Sequence, residues 1–177
     1  MKKIYITGVS GTGKTTIAQE LERRGYYAIS IDEVDGLCSW VDQETGVSDG
    51  GKEADMTVKF VDKHDWICDI SRLTTLLEKD ADTPFVLGMA TNQNEFLSIF
   101  DKIFVLQCMP KTFLQRIENR TDNNFGKDKK VQEQIIARSK TYVEEMASKG
   151  AIPINTDRPV TEVVEDIIRQ VFADKKV

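Results

Sequence analysis

The sequence predicts an α/β fold: a mainly parallel sheet of five short strands covered by helices on both faces. Three observations carry this expectation. Short apolar runs alternate with helix-period segments from end to end, the pattern of successive βαβ units. A glycine-rich turn joins the first apolar run to the first helical segment. The run from Lys102 to Cys108 is almost wholly apolar, as a strand buried on both faces should be.

The elements follow in order. Ile4-Tyr5-Ile6 is the first strand, stopping at Thr7-Gly8, and residues 14–24 place Ile17, Ala18 and Leu21 on one helix face. Gly25 stops that helix and Tyr26 to Ile31 is the second strand. Residues 33–52 are polar and turn-rich. Helical spacing returns over 53–66 through Met56, Phe60 and Trp66, and over 70–79 through Ile70, Leu73, Leu76 and Leu77. Phe85-Val86-Leu87 is the third strand and Lys102 to Cys108 the fourth. Pro110 then opens a helix through about Arg120, since proline suits the first helical turn. Thr121 to Lys130 reads as a loop, 131–148 as a longer helix and Ala151 to Ile154 as the fifth strand. The last helix aligns Val160, Val163, Val164, Ile167, Ile168, Val171 and Phe172 on one face.

The chain has 177 residues, close to one domain on a prior of ~100–200. With no linker, repeat or low-complexity tract, residues 1–177 are expected to form a single domain. Lys and Arg number 24 against 29 Asp and Glu, for a formal charge of −5. That balance argues against a nucleic-acid partner, whose footprint is basic. No stretch approaches the ~18 apolar residues of a membrane span. Cys38, Cys68 and Cys108 are odd in number and widely spaced, so they read as reduced thiols rather than as a disulfide framework or a zinc site. The expectation is a cytoplasmic protein, monomer or homodimer, working on small molecules.

In open parallel sheets ligands sit beyond the carboxyl ends of the strands. There Gly8-Val9-Ser10-Gly11-Thr12-Gly13-Lys14-Thr15 fits G-x-x-x-x-G-K-[ST] at every fixed position, between a strand and a helix. Glycines let the backbone curl its N–H groups toward phosphate oxygens, and the helix start adds the positive end of its dipole. Gly8, Ser10, Gly11, Thr12, Gly13, Lys14, Thr15 and Thr16 are therefore the expected nucleotide-binding set. Lys14 would reach the β- and γ-phosphates and Thr15 would ligate Mg²⁺.

The second strand ends in Asp32-Glu33-Val34-Asp35. Asp32 can take a proton from an acceptor hydroxyl or hold Mg²⁺ through water, and it can equally cap the next helix. Phe85-Val86-Leu87-Gly88 carries no Walker-B aspartate, so that role either falls to Asp32 or is absent. Gly88 suggests a close backbone approach, and Asn92 and Gln93 either offer amides to an acceptor or cap the helix carrying Phe96 and Ile99. Residues 33–66 are the expected acceptor-binding segment; within it Trp40 and Trp66 read first as core and the lone His64 as structural, with stacking on or contacting an acceptor the alternative.

Arg116 and Arg120 stand at i, i+4 and project from one helix face, as electrostatic clamps on a transferring phosphoryl group. They lead into residues 121–130, a basic loop suited to a water-excluding lid. Asp157 and Arg158 lie in the last carboxyl-end loop, whose backbone would face an adenine ring.

The chain thus resembles the small P-loop kinases of the adenylate, shikimate and gluconate kinase type over essentially its whole length. The resemblance rests on Gly8 to Thr15, Asp32, the missing Walker-B aspartate, Arg116-x-x-x-Arg120 leading into Asn124-Phe125-Gly126-Lys127, and Asp157-x-Pro159. It implies a three-layer fold with strand order 2-3-1-4-5, a mobile lid and ATP as donor. It also implies that Arg120 lies near the adenine or phosphates and that Arg116 or Lys127 closes over the γ-phosphate. The stretch Leu87-Gly88-Met89-Ala90-Thr91 departs from the Asp-Gly-x-Pro-Arg of adenylate-type kinases and from the glycine run of shikimate kinases. Asp32-x-x-Asp35 replaces the shikimate-type Asp-x-Asp. The expected function is Mg²⁺–ATP-dependent phosphoryl transfer to a nucleoside, nucleotide or polyol. The alternatives are an ATPase coupled to conformational change and a nucleotide-binding regulatory module.

Overall fold

A computed structural model describes residues 2–51, 57–78, 82–119, 121 and 125–173. The strands are β1 Ile4–Thr7, β2 Ala28–Ser30, β3 Cys38–Asp42, β4 Ser48–Gly50, β5 His64–Cys68, β6 Phe85–Leu87, β7 Lys102–Gln107 and β8 Ile152–Asn155. The helices are α1 Lys14–Arg23, α2 Val58–Val61, α3 Ile70–Leu77, α4 Pro110–Asn119, α5 Lys129–Ser148 and α6 Val160–Phe172.

Five strands form one parallel sheet in the order β2-β6-β1-β7-β8. Numbered as the five strands read from the sequence, this is the order 2-3-1-4-5. β1 is central and all four of its residues are buried. Its side chains alternate between the two faces, as the strand period requires. Ile4 and Ile6 pack with Leu21, Val164 and Ile167 beneath α1 and α6. Tyr5 faces the other way, among Leu73, Leu77, Phe96 and Phe100. Two helical layers therefore fix β1, and with it the start of the glycine-rich loop. Among the described residues no helix is long and apolar enough to cross a membrane.

A second sheet was not legible as such. Residues 38–68, which the sequence suggests are turns followed by a helix, carry an antiparallel sheet in the order β4-β3-β5. Cys38 pairs with Cys68, Trp40 with Trp66 and Asp42 with His64. The helical spacing through Phe60 and Trp66 corresponds to one turn, α2, followed by a strand; Met56 lies outside the described residues. The two tryptophans decide the matter physically. Cross-strand pairing sets their rings 5.2 Å apart, a contact that helical spacing within the segment cannot supply.

Three smaller points concern Gly88, Gln93 and the start of α5. The close approach expected at Gly88 is made by a side chain, because a Cβ there would overlap Ile31. Gln93 is buried, and its Oε1 accepts hydrogen bonds from Tyr5 (3.2 Å), Thr7 (3.3 Å) and Tyr142 (2.8 Å). That amide ties β1 to α5 and is not offered to an acceptor. The long helix α5 starts at Lys129, two residues before the expected 131, because the Asp128 side chain caps it by accepting from Lys130 N and Val131 N.

Candidate active site

The loop between β1 and α1 is shaped by glycines where no other residue fits. Gly11 (φ 83°) and Gly13 (φ 100°) lie in the left-handed region. A Cβ on Gly11 would also stand 2.8 Å from the Phe113 carbonyl oxygen and 2.9 Å from its Cβ. Thr12 is buried, and its hydroxyl donates to Val9 O at 2.7 Å, closing the curl. α1 begins at Lys14 with no side chain capping it, so its first-turn N–H groups face the cleft. Lys14 Nζ reaches back over the loop to Gly8 O (2.6 Å) and Val9 O (3.3 Å). An uncapped helix start beneath a curled glycine loop, with an ammonium held over it, suits a polyphosphate.

Arg116, on α4, spans the rim of this loop. Its Nη1 donates to Gly11 O (3.4 Å) and Thr156 Oγ1 (3.2 Å), and its Nη2 to Thr156 O (2.8 Å). The buried Thr156 hydroxyl in turn donates to Thr12 O at 2.9 Å. Arg116 thus fastens the glycine-rich loop to the end of β8. Arg120 lies outside the described residues, as do 122–124 of the expected lid.

Across the cleft stands the end of β2. Asp32 is half-buried, and its Oδ1 accepts from the indole Nε1 of Trp66 at 2.9 Å. Trp66 is itself fixed by a reciprocal backbone bridge: Thr91 N donates to Trp66 O (2.7 Å) and Trp66 N to Thr91 Oγ1 (3.1 Å). Beside it Trp40 stacks with Phe125 at 6.2 Å and meets Phe60 edge-on at 5.7 Å. One cleft of about 940 Å³ runs between the two walls, lined by Ser10, Gly11, Gly13, Lys14, Thr15, Thr16 and Arg116 on one side. Asp32, Trp40, Trp66, Met89 and Phe125 line the other.

Not every expected residue reaches it. Gly8 and Thr12 support the loop from behind: a Cβ on Gly8 would stand 2.6 Å from Thr12 Oγ1. Asp157 accepts from Met109 N at 2.9 Å, and Arg158 is paired with Asp166 at 2.7 Å along α6, so neither side chain lines the cleft. Asn92 exchanges two hydrogen bonds with the backbone of Cys68, at 3.0 and 2.9 Å, completing the edge of β5. His64 sits at the cleft's outer rim, bonded through Nε2 to Asp49 and through Nδ1 to Phe60 O, both at 2.7 Å. The Asp49 carboxylate, and then the Phe60 carbonyl, hold its pKa above the ordinary imidazole value. Cys38 and Cys68 are buried side by side as free thiols; the hydrogen bond between them and their burial push the Cys38 pKa up.

Sequence reasoning did not single out Thr156 or the Trp66–Asp32 hydrogen bond. A threonine at the end of a strand gives no local signal, and the indole contact joins residues 34 positions apart.

Residues 4–137 match the model of a family described as an AAA domain. Among solved structures the chain is similar to shikimate kinase from Acinetobacter baumannii, in complex with shikimate. That likeness covers all of this chain and 96% of that one, at 15% identity and TM-score 0.59. It is also similar to shikimate kinase from Aquifex aeolicus (19% identity, 98% of each chain, TM-score 0.57). Deoxyadenosine kinase from M. mycoides with bound dATP is a third (14% identity, 97% of this chain and 99% of that one, TM-score 0.57). At these identities the likeness concerns the fold. No curated protein matches the sequence. The family match spans more than half of the chain, and the five-stranded parallel sheet accords with the fold likeness; the protein belongs to the AAA domain family, as a divergent member with the P-loop kinase fold.

Proposed function

We propose that the protein transfers the γ-phosphoryl group of Mg²⁺–ATP to a hydroxyl or phosphate of a small molecule of the nucleoside, nucleotide or polyol class. The observation that carries this reading is the shared cleft, with a phosphate cradle on one wall and an oriented carboxylate among aromatic rings on the other. A ring-lined wall facing the cradle suits a docked acceptor. Bound Mg²⁺–ATP supplies the phosphoryl group and its charge neutralisation. Gly11, Gly13 and Lys14 cradle the phosphates, and the Thr15 hydroxyl is the candidate metal ligand, with a water-mediated metal contact the alternative role of Asp32. Asp32, aimed by Trp66, accepts the proton of an acceptor hydroxyl. Arg116 keeps the cradle in shape from the rim. Arg120 is assigned to the phosphates by the family resemblance alone. Catalysis on this reading is positioning plus charge stabilisation, with water kept out by the occupied cleft.

The solved neighbours support the reading by their names, as a shikimate kinase and a deoxyadenosine kinase. The test is ADP formation with Mg²⁺–ATP alone and then with pooled metabolites fractionated to single acceptors. Turnover that rises sharply with one acceptor, and is abolished in a folded Lys14→Ala variant, is the expected result. Acceptor-independent turnover would favour the ATPase alternative, and full activity in Lys14→Ala would overturn the site.

A further inference from the structure

The antiparallel sheet gathers three side chains that the phosphotransfer reading does not use. Asp42 closes β3, Asp49 lies in β4 and His64 opens β5. One ligand atom from each lies within 4.8 Å of the others. His64 Nε2 stands 2.7 Å from Asp49 Oδ2 and 3.9 Å from Asp42 Oδ2. Those distances bracket the edge of about 3.3 Å in a tetrahedron with metal–ligand bonds of ~2.0–2.1 Å.

We propose that Asp42, Asp49 and His64 bind a divalent transition-metal ion, with Zn²⁺ the best fit, clipping the three strands together at the rim of the cleft.

The surroundings are those of a metal-binding imidazole. The His64 side chain is only 8% exposed and lies flat on the Phe60 ring, 3.8 Å away at 11°. Its Nδ1 faces the Phe60 carbonyl at 2.7 Å, so Nδ1 is the protonated nitrogen. Nε2 is thus turned toward two carboxylate oxygens, an arrangement that a bound cation satisfies by replacing the Nε2 proton. Donation of the far N–H to a backbone carbonyl is the outer-shell arrangement that orients a ligating histidine. Asp42 is oriented as well: its Oδ1 accepts from Thr45 N (2.7 Å), Thr45 Oγ1 (2.9 Å) and Glu44 N (3.0 Å), leaving Oδ2 for the site. Asp49, 48% exposed, gives the ion a way in from solvent. One imidazole and two carboxylates suit Zn²⁺ with a water as fourth ligand, and one nitrogen is too many for a site built for Mg²⁺ or Ca²⁺. The consequence is mechanical. β4 is three exposed residues long, and its register with β3 shifts between Trp40 and Val41, so an ion bonded to all three strands stiffens the sheet that carries Trp40 and Trp66.

The experiment uses the full chain, stripped with EDTA and free of nucleotide. It is titrated with Zn²⁺ in a calorimeter and with Co²⁺ in a visible spectrophotometer, alongside Asp49→Asn and His64→Gln. Expected are saturable 1:1 Zn²⁺ binding, a Co²⁺ spectrum of tetrahedral intensity without a thiolate charge-transfer band, and affinity at least ~10-fold weaker in both variants. Should His64→Gln fail to fold, Asp49→Asn decides, because its side chain is exposed. No saturable binding, affinity within twofold of wild type in the variants, or a thiolate band placing the ion on cysteine would each overturn the proposal. None of these readouts depends on enzymatic activity.

Discussion

Replacing Thr156 by valine isolates the joint between the phosphate cradle and the far edge of the sheet. Valine keeps the shape of threonine and removes one hydroxyl. That hydroxyl donates to Thr12 O at 2.9 Å, with a longer contact to Gln107 O at 3.3 Å, and accepts from Arg116 Nη1 at 3.2 Å. The site is buried, so a carbonyl that loses its donor there pays a desolvation cost of ~1–3 kcal/mol. Arg116 keeps Thr156 O and Gly11 O as partners, so its share of the loss is smaller. Thr156→Val is therefore expected to lower stability by ~2–3 kcal/mol, a fall in Tm of roughly 5–10 °C for a chain of this size. Mg²⁺–ADP should also bind several-fold more weakly, because Thr12 is part of the cradle. Thr156→Ser, which keeps the hydroxyl and loses one methyl, should cost ~1 kcal/mol or less. Urea unfolding and calorimetry with Mg²⁺–ADP make both measurements. A valine variant within ~0.5 kcal/mol of wild type, or a serine variant equally damaged, would refute the hydroxyl's role.

Trp66→Phe keeps the ring and deletes the N–H that aims Asp32. A hydrogen bond to a charged group is worth ~1.5–3 kcal/mol, so kcat should fall by about 10- to 100-fold while KM for ATP stays within about twofold. An unchanged kcat in steady-state assays would detach the indole from the chemistry. Gly88→Ala places a methyl inside Ile31 and should destabilise by ~1–3 kcal/mol, with Ile31→Ala in the same chain relieving part of that overlap. Additivity of the two losses in urea unfolding would show that the residues do not collide. Hydrogen bonds from Arg23 and Arg24 hold the Glu20 carboxyl at about 2, below its ordinary 4.5. Because the folded pKa is the lower one, this stabilisation is present above pH 4.5 and fades as pH falls toward 2. The Tm gap between wild type and Glu20→Gln should narrow across that window, and a gap independent of pH would contradict the assignment.

The large sheet was readable because its strands are compact apolar runs bounded by turns, and because burial on both faces leaves a local signature at Ile4 to Ile6, Phe85 to Leu87 and Phe104 to Leu106. The glycine-rich loop was readable for a different reason: its backbone demands particular residues at fixed offsets. The small sheet offered neither clue. Ser48-Asp49-Gly50 holds no apolar residue, and Cys38 to Asp42 acquires its partner only across a long excursion of chain. The pairing of Trp40 with Trp66 was visible only as two aromatic residues within a polar stretch, a faint strand signal. Arg116 illustrates the same limit at the site. Its helix face was legible, but the identity of its partners, Gly11 and Thr156, is a product of tertiary folding.

The side-chain amide of Asn92 has a consequence beyond tidying an edge. By mimicking one more backbone unit at Cys68, next to the bridge between Thr91 and Trp66, it welds the small sheet to the loop that leaves β6. β6 is the immediate neighbour of β1, so the tryptophan wall and the glycine-rich loop share a single chassis. The spacing of the two walls is therefore set by hydrogen bonds and sheet register rather than by loop conformation alone.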